Sequence, residues 1–147
     1  MLKVTRPVLK EHPISSGFGK LRTLTIHGRE IIRTHNGIDF KCPQGTPIYA
    51  VMPGQIHTVG YENDKDERQG YGYRIIQRGE VDGKVYWVYY AHLLSALVHN
   101  AYFVNEGEYL AVSGNTGAST GSHLHLSIRE NDTGKYLDFE FKEQKDA

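Results

Sequence analysis

Cysteine is nearly missing from this 147-residue chain, with Cys42 the single one. One thiol excludes an intramolecular disulfide and every multi-cysteine zinc or iron–sulfur site. An excess of either charge is also missing, because seventeen basic and seventeen acidic side chains cancel. Without a basic surplus there is no electrostatic footprint for a polyanion, so nucleic acid is not an expected partner. No apolar run approaches the ~20 residues that a membrane-spanning helix needs. The start, Met1 to Lys10, does not read as an export signal, since Lys3, Arg6 and Pro7 break its apolar stretch. The His-Glu-x-x-His helix, the Gly-x-Ser-x-Gly elbow and the Gly-rich phosphate loop ending in Lys-Ser/Thr are all absent. What remains is 39% hydrophobic residues, ten tyrosines and eight histidines. That is enough apolar matter for one core, and the length suits one soluble domain.

Sixteen glycines and five prolines cut the chain into short segments, and none carries a long 3.6-residue apolar period. Only Leu93 to Ala101 reads as a short helical turn. Ile48–Val51 and Gln55–Val59 flank Pro53-Gly54, and Tyr73–Arg78 and Val85–Tyr90 flank Asp82-Gly83. Asp-Gly between two β-branched and aromatic runs is the strongest local hairpin signal. Tyr109–Val112 and Leu124–Ile128 are two further strands, joined by the glycine-bearing loop Ser113 to Ser122. Tyr61 to Gly70 is polar and reads as a solvated loop. Many short strands with turns between them predict an all-β fold, a mostly antiparallel sheet or sandwich.

The histidines carry the chemistry. In His123-Leu124-His125 a strand would project both imidazoles to one face and Leu124 into the core. Two neutral imidazoles from one strand form a natural pair for zinc. The glycines of Gly114 to Ser122 would keep bulk away from that strand, as a backbone lining a cleft does. In His35-Asn36-Gly37-Ile38-Asp39 the Asn-Gly pair favours a turn, with a strand starting near Ile38. His35 and Asp39 then converge, either as a simple hydrogen-bonded pair or as metal ligands. With His125 they would make a His₂Asp set that leaves a fourth position for water, as catalytic zinc sites do. His92 ends the run Tyr86 to Ala91, and strict alternation puts it on the face of Tyr90, Val88 and Tyr86. It is either a satisfied structural histidine or, beside a metal, a proton acceptor with an unperturbed pKa of ~6.5. His12, His27, His57 and His99 lack partners at useful spacing. Cys42 reads as a small buried hydrophobe.

Taken in order, Ile14–Gly19, His35–Phe40, Gly45–Ala50, Pro53–Ile56, Tyr90–Leu93, Gly107–Leu110, Ser113–Gly117 and Gly121–Leu126 resemble the lysostaphin-like (LytM-type) zinc endopeptidases of bacterial cell walls. The resemblance covers about residues 13 to 130. It sets a domain of 13–130 between an N-terminal segment 1–12 and a C-terminal strand or tail 131–147. It implies one zinc ion per chain held by His35, Asp39 and His125, with His92 and His123 beside the metal as the catalytic histidines. It implies an all-β fold with a zinc cleft across one sheet, long loops as its walls, and peptidoglycan stem peptides or cross-bridges as substrate. A monomer without a membrane span is expected, acting on the cell wall in the periplasm or outside the cell.

Three departures accompany the resemblance. The loop Tyr61–Gly70 is long and charged. Gln77-Arg78 stands where relatives often carry a histidine. Neither an export signal nor a wall-binding domain is visible, which a phage or prophage lysin would explain, as would a chain trimmed of its signal. Two other readings stay open at this stage: an inactive LytM-like binding or activator module, and a sugar-phosphotransfer carrier domain. Intact ligand positions count against both. Cleft walls are expected from Leu21–Thr34, Tyr61–Gly70 and Leu94–Asn105, with Tyr61, Tyr71, Tyr102, Glu67 and Arg68 meeting substrate. Charged walls suit a peptide with its own carboxylates and amines, and so favour direct D-alanine-to-diamino-acid cross-links over glycine bridges.

Overall fold

The computed structural model describes residues 1–143, among which there are thirteen strands and no helix. In chain order they are β1 (Lys3–Val4), β2 (Ile14–Ser16), β3 (Leu21–Ile26), β4 (Arg29–Thr34), β5 (Ile38–Lys41), β6 (Pro47–Tyr49) and β7 (Gly54–Tyr61). They continue as β8 (Tyr73–Val81), β9 (Lys84–Ala96), β10 (Phe103–Val104), β11 (Tyr109–Ser113), β12 (His123–Glu130) and β13 (Glu140–Phe141). One nine-stranded sheet runs β10-β7-β8-β9-β12-β5-β2, with β11 bridging β9 and β6, and every pairing within it is antiparallel. The β8–β9 hairpin turns through Asp82 (φ 51°) and Gly83 (φ 78°), both left-handed as the tightest two-residue turn requires. β1 lies parallel to β13, and Val4, Val8 and Phe139 pack into the same core as the central strands. Residues 144–147 of the C-terminal segment lie outside the described part.

The sheet has a dry face and a wet face. Leu124, Leu126 and Ile128 of β12 point into the core with Phe40 of β5 and Val88 and Tyr90 of β9, all fully buried. Each such side chain contributes roughly 1.5–3 kcal/mol by leaving water. The alternate residues His123, His125 and Ser127 therefore share the opposite face with Asp39 and Lys41, because His125 pairs with Asp39 and His123 with Lys41. Cys42 is a buried core residue. Tyr90 Oη receives the Val51 N–H at 3.0 Å and donates to Gln77 Oε1 at 2.7 Å, while Gln77 Nε2 donates to the Met52 carbonyl. Gln77 is thus a structural core residue.

Two expectations need correction. Leu93 to Ala96 is not a helical turn but the end of β9, held extended by β11 through Ala111↔Ala96 and Ser113↔Leu93. Sheet pairing outcompetes a weak helical signal here, and only His99–Tyr102 makes a turn. Leu21–Thr34 is not an open loop but the β3–β4 hairpin, closed by His27 (φ 51°) and Gly28 (φ 77°). Histidine followed by glycine reaches the same left-handed turn as Asn-Gly without its sequence signature.

Candidate metal centre

β5 and β12 lie side by side with Asp39 directly opposite His125, and the 35–37 turn brings His35 over the end of β5. Asp39 Oδ1 is 2.8 Å from His125 Nδ1 and 3.3 Å from His35 Nε2, and the two imidazole nitrogens are 3.2 Å apart. All three residues are buried, and they form the one histidine/cysteine/carboxylate group among the described residues that could hold a metal ion. A tetrahedral zinc with bonds of about 2.0–2.1 Å places its ligand atoms about 3.3 Å apart, which matches this triangle.

The hydrogen bonds fix which nitrogens face inward. His35 Nδ1 is 2.9 Å from the Gly17 carbonyl, His92 Nδ1 is 2.6 Å from that of Thr116, and His123 Nδ1 is 2.8 Å from that of Gly121. A carbonyl only accepts, so each Nδ1 carries a proton and each neutral ring keeps a lone pair on Nε2. The His35 Nε2 lone pair thus faces the Asp39 carboxylate at 3.3 Å, an arrangement that repels unless a cation lies between them. His125 Nε2 is buried without a hydrogen-bond partner, and its ring stacks on Tyr71 at 5.3 Å. A buried polar atom left unpaired costs about 1–3 kcal/mol, and such costs collect at functional sites. These residues fit a zinc ion.

Electrostatics agree. Burial alone would raise the pKa of Asp39, but hydrogen bonds from His125 and Arg22 outweigh it and hold the carboxyl well below the usual range. Burial lowers the pKa of His125 and pushes that of His92 down to about 4, so both rings are neutral near pH 7. Arg22 of β3 donates to Asp39 Oδ2 at 2.8 Å and to Ser16 Oγ at 3.0 Å. Sequence reasoning missed Arg22, since nothing in its local pattern shows that a hairpin folds back onto β5.

His92 reaches the site by a route that alternation forbids. Strict period two would put it with Tyr90 in the core, yet its ring lies 4.8 Å from His123 and 6.2 Å from His125. The register between β8 and β9 slips from Ile75↔Tyr90 to Tyr73↔Leu93, which leaves one extra residue on β9. His92 occupies that bulge with φ 61°, so it turns to the wet face while Leu93 returns to the core. Its partner carbonyl at Thr116 is held by contact between two loops. Gly72 and Gly117 pack so closely that a Cβ on Gly117 would come within 2.4 Å of Gly72 N.

The five histidine and aspartate positions line one cleft of about 820 Å³. Its walls are the β3–β4 hairpin with Arg22 and Arg33, the loop end with Glu62, Gly70 and Tyr71, and Ala118 to Ser122. The expectation that Leu94–Asn105 forms a wall is not met, because Phe103 and Val104 pair with Gln55 and Gly54 at the far end of β7. Of the residues expected to meet substrate, Tyr71 lines the cleft, whereas Tyr61 packs on Tyr73, Tyr102 on His99, and Arg68 on Asp66. Glu67 is not among the lining residues. His12, His27, His57 and His99 also lie outside the cleft.

Comparison with known proteins places these features in context. The model of peptidase family M23 matches residues 33–145. The peptidoglycan DD-endopeptidase ShyA of Vibrio cholerae is 34% identical over 122 residues, 83% of this chain and 26% of that protein. A zinc-containing peptidase from Vibrio cholerae superposes with a TM-score of 0.73 at 31% identity, over 90% of this chain and 37% of the other. The catalytic domain of lysostaphin from Staphylococcus simulans superposes with a TM-score of 0.71, also at 31% identity, over 87% of this chain and 89% of the other. The chain spans about a quarter of the length of the curated relatives it matches first.

Proposed function

Because the chain belongs to peptidase family M23, we propose that it is a zinc-dependent endopeptidase that hydrolyses peptide cross-links of peptidoglycan, acting as a monomer on the wall side of the membrane. The observation that carries this reading is the triangle of His35 Nε2, Asp39 Oδ1 and His125 Nδ1, three buried ligand atoms within 3.3 Å of one another with the His35 lone pair aimed into it. The relatives that cut peptidoglycan supply the substrate class.

His35, Asp39 and His125 would hold the metal. Zinc bound there supplies a Lewis acid that makes water nucleophilic near neutral pH and polarises the scissile carbonyl. The proton work falls to His92 and His123, whose rings stand 4.8 Å apart and whose Nδ1–H groups are tied to backbone carbonyls. Each therefore offers an Nε2 lone pair towards the cleft. One accepts the proton of the attacking water and becomes an N–H donor able to pass it to the leaving amine. The other would donate a hydrogen bond to the developing oxyanion once its Nε2 carries a proton. Tyr71 stacks on His125 and keeps water from one side of that ring.

Bond choice rests on the walls. Arg22, Arg33, Lys41 and Glu62 line the cleft, and charged walls gain nothing from a glycine bridge. Direct cross-links between D-alanine and a diamino acid are the preferred substrate. The test pairs elemental analysis with digestion of sacculi that carry direct cross-links or pentaglycine bridges. One zinc per chain and faster release from direct cross-links are expected. Faster cleavage inside glycine bridges refutes the bond choice, and protein without zinc that binds sacculi uncut refutes the enzyme reading in favour of a binding module.

A further inference from the structure

We infer that Arg33 and Lys41 form a carboxylate-binding subsite beside the metal centre, which selects cross-links whose amine-donating residue carries its own free carboxylate. The inference rests on the endopeptidase reading and adds the feature of the substrate that is recognised. Lys41 lies two residues beyond Asp39 on β5 and opposite His123 on β12, so it shares the wet face of the sheet with both. Two residues along a strand span about 7 Å, which places its backbone close to the reacting centre. Arg33 stands directly opposite Arg22 across the β3–β4 hairpin.

Like charges directly opposite each other on a sheet destabilise it. Asp39 offsets Arg22 through a 2.8 Å ion pair, but no described acidic or hydrogen-bonding side chain offsets Arg33. Lys41 is likewise exposed and without a side-chain partner among the described residues. A chain with balanced charge thus lines the cleft that holds the metal ligands with two cations that have no partner among the described residues. Glu62, which also lines the cleft, receives the backbone N–H of Tyr71 at 3.1 Å, so the lining carries an acidic group besides these cations.

That polarity fits a direct cross-link. The scissile nitrogen of such a link is borne on a carbon that also carries a carboxylate, a few ångströms from the reacting carbonyl. A glycine bridge has no anion next to the scissile nitrogen. Other peptide carboxylates are present, the terminal one of a stem among them, and substrate chemistry separates that one from the diamino acid's.

Three soluble cross-linked muropeptide dimers test the inference: one unmodified, one with the diamino acid carboxylate converted to a carboxamide, and one with the stem-terminal carboxyl amidated. The zinc-loaded wild type should cleave the first about tenfold better, in kcat/KM, than the second, in keeping with charge-assisted hydrogen bonds to a partly exposed carboxylate. The Arg33→Gln/Lys41→Gln variant should cleave the unmodified dimer about tenfold more slowly and lose that discrimination, with zinc content unchanged and a melting temperature no lower than wild type, since the Arg22–Arg33 repulsion is relieved. Loss on amidation of the stem terminus supports the subsite and moves its ligand to that carboxylate. Equal cleavage of all three dimers by the wild type overturns the subsite while the endopeptidase reading stands, and this arm needs no variant to fold. A wild type that holds zinc but cuts none of them removes the reading and the subsite with it.

Discussion

Gly37→Ala is the perturbation whose size the structure specifies best. Gly37 lies in the turn between His35 and β5, and its φ is not in the left-handed region, so the cost of a side chain there is steric alone. A Cβ would sit 2.3 Å from the Leu126 carbonyl oxygen, 2.9 Å from Ser127 Cβ and 3.0 Å from His125 Cε1. An ordinary carbon–oxygen contact needs about 3.3 Å, so the turn and β12 must separate by about 1 Å. Two of the three obstacles are backbone or Cβ atoms, which cannot rotate away. Overpacking of this kind costs about 1–3 kcal/mol, and at this chain length each kcal/mol lowers Tm by roughly 2–4 °C. The metal-free variant should therefore melt roughly 2–12 °C below wild type. The same separation pulls His125 from Asp39, whose ligand atoms stand 2.8 Å apart. Zinc affinity should fall about 10- to 100-fold, as it does when the support of a metal ligand is disturbed. Scanning calorimetry with chelator and with zinc measures both effects, because zinc raises Tm only in proportion to its affinity for the folded state. Gly121→Ala, where a Cβ meets nothing within 4 Å, is the control. A Gly37→Ala protein with the wild-type Tm in chelator would refute the reasoning.

Replacing His35, Asp39 or His125 by alanine should strip zinc, whereas His92→Ala or His123→Ala should keep it and lower hydrolysis by about 10²–10⁴-fold, a loss typical of removing a general base; zinc-free His123→Ala protein would sink the division of roles. The pKa of His92 in the folded metal-free chain is about 4, below its ordinary 6.5, so the unfolded state binds more protons between those values. Stability of the chelated protein is thus full above pH 6.5 and declines as pH falls towards 4, and His92→Gln should flatten that slope in urea titrations at stepped pH. Tyr90→Phe leaves the Val51 N–H and Gln77 Oε1 unpaired in the core, at about 1–3 kcal/mol for each buried group. Urea midpoints should fall while zinc content stays at the wild-type level, and an unchanged midpoint would show that water or repacking satisfies both groups.

The sequence by itself determined the strand-rich, all-β class, the Asp82-Gly83 hairpin, and which face of β12 is dry. Each depends on nearest-neighbour rules: turn chemistry acts over two residues and pleat alternation over two more. His35 with Asp39, and His123 with His125, were legible for the same reason, as pairs closely spaced along one segment. Their union into a His₂Asp set came from the zinc chemistry and the family resemblance and not from spacing, because it depends on β5 and β12 being neighbours with Asp39 opposite His125 across 86 residues of chain. Tertiary structure alone decided three further matters. It turned His92 out of the core through a one-residue bulge, which no alternation rule anticipates because the extra residue is defined only against the partner strand. It folded the β3–β4 hairpin back so that Arg22 reaches Asp39, and Arg33 has no counter-ion among the described residues. It gave one cleft wall to Ala118–Ser122 and drew Leu94–Asn105 elsewhere, with Ser95 and Ala96 paired to β11 and Phe103 and Val104 to β7. Local propensity follows from covalent neighbours, but the direction in which a charged or imidazole side chain points at a site depends on strands that meet only once the sheet has closed over its core.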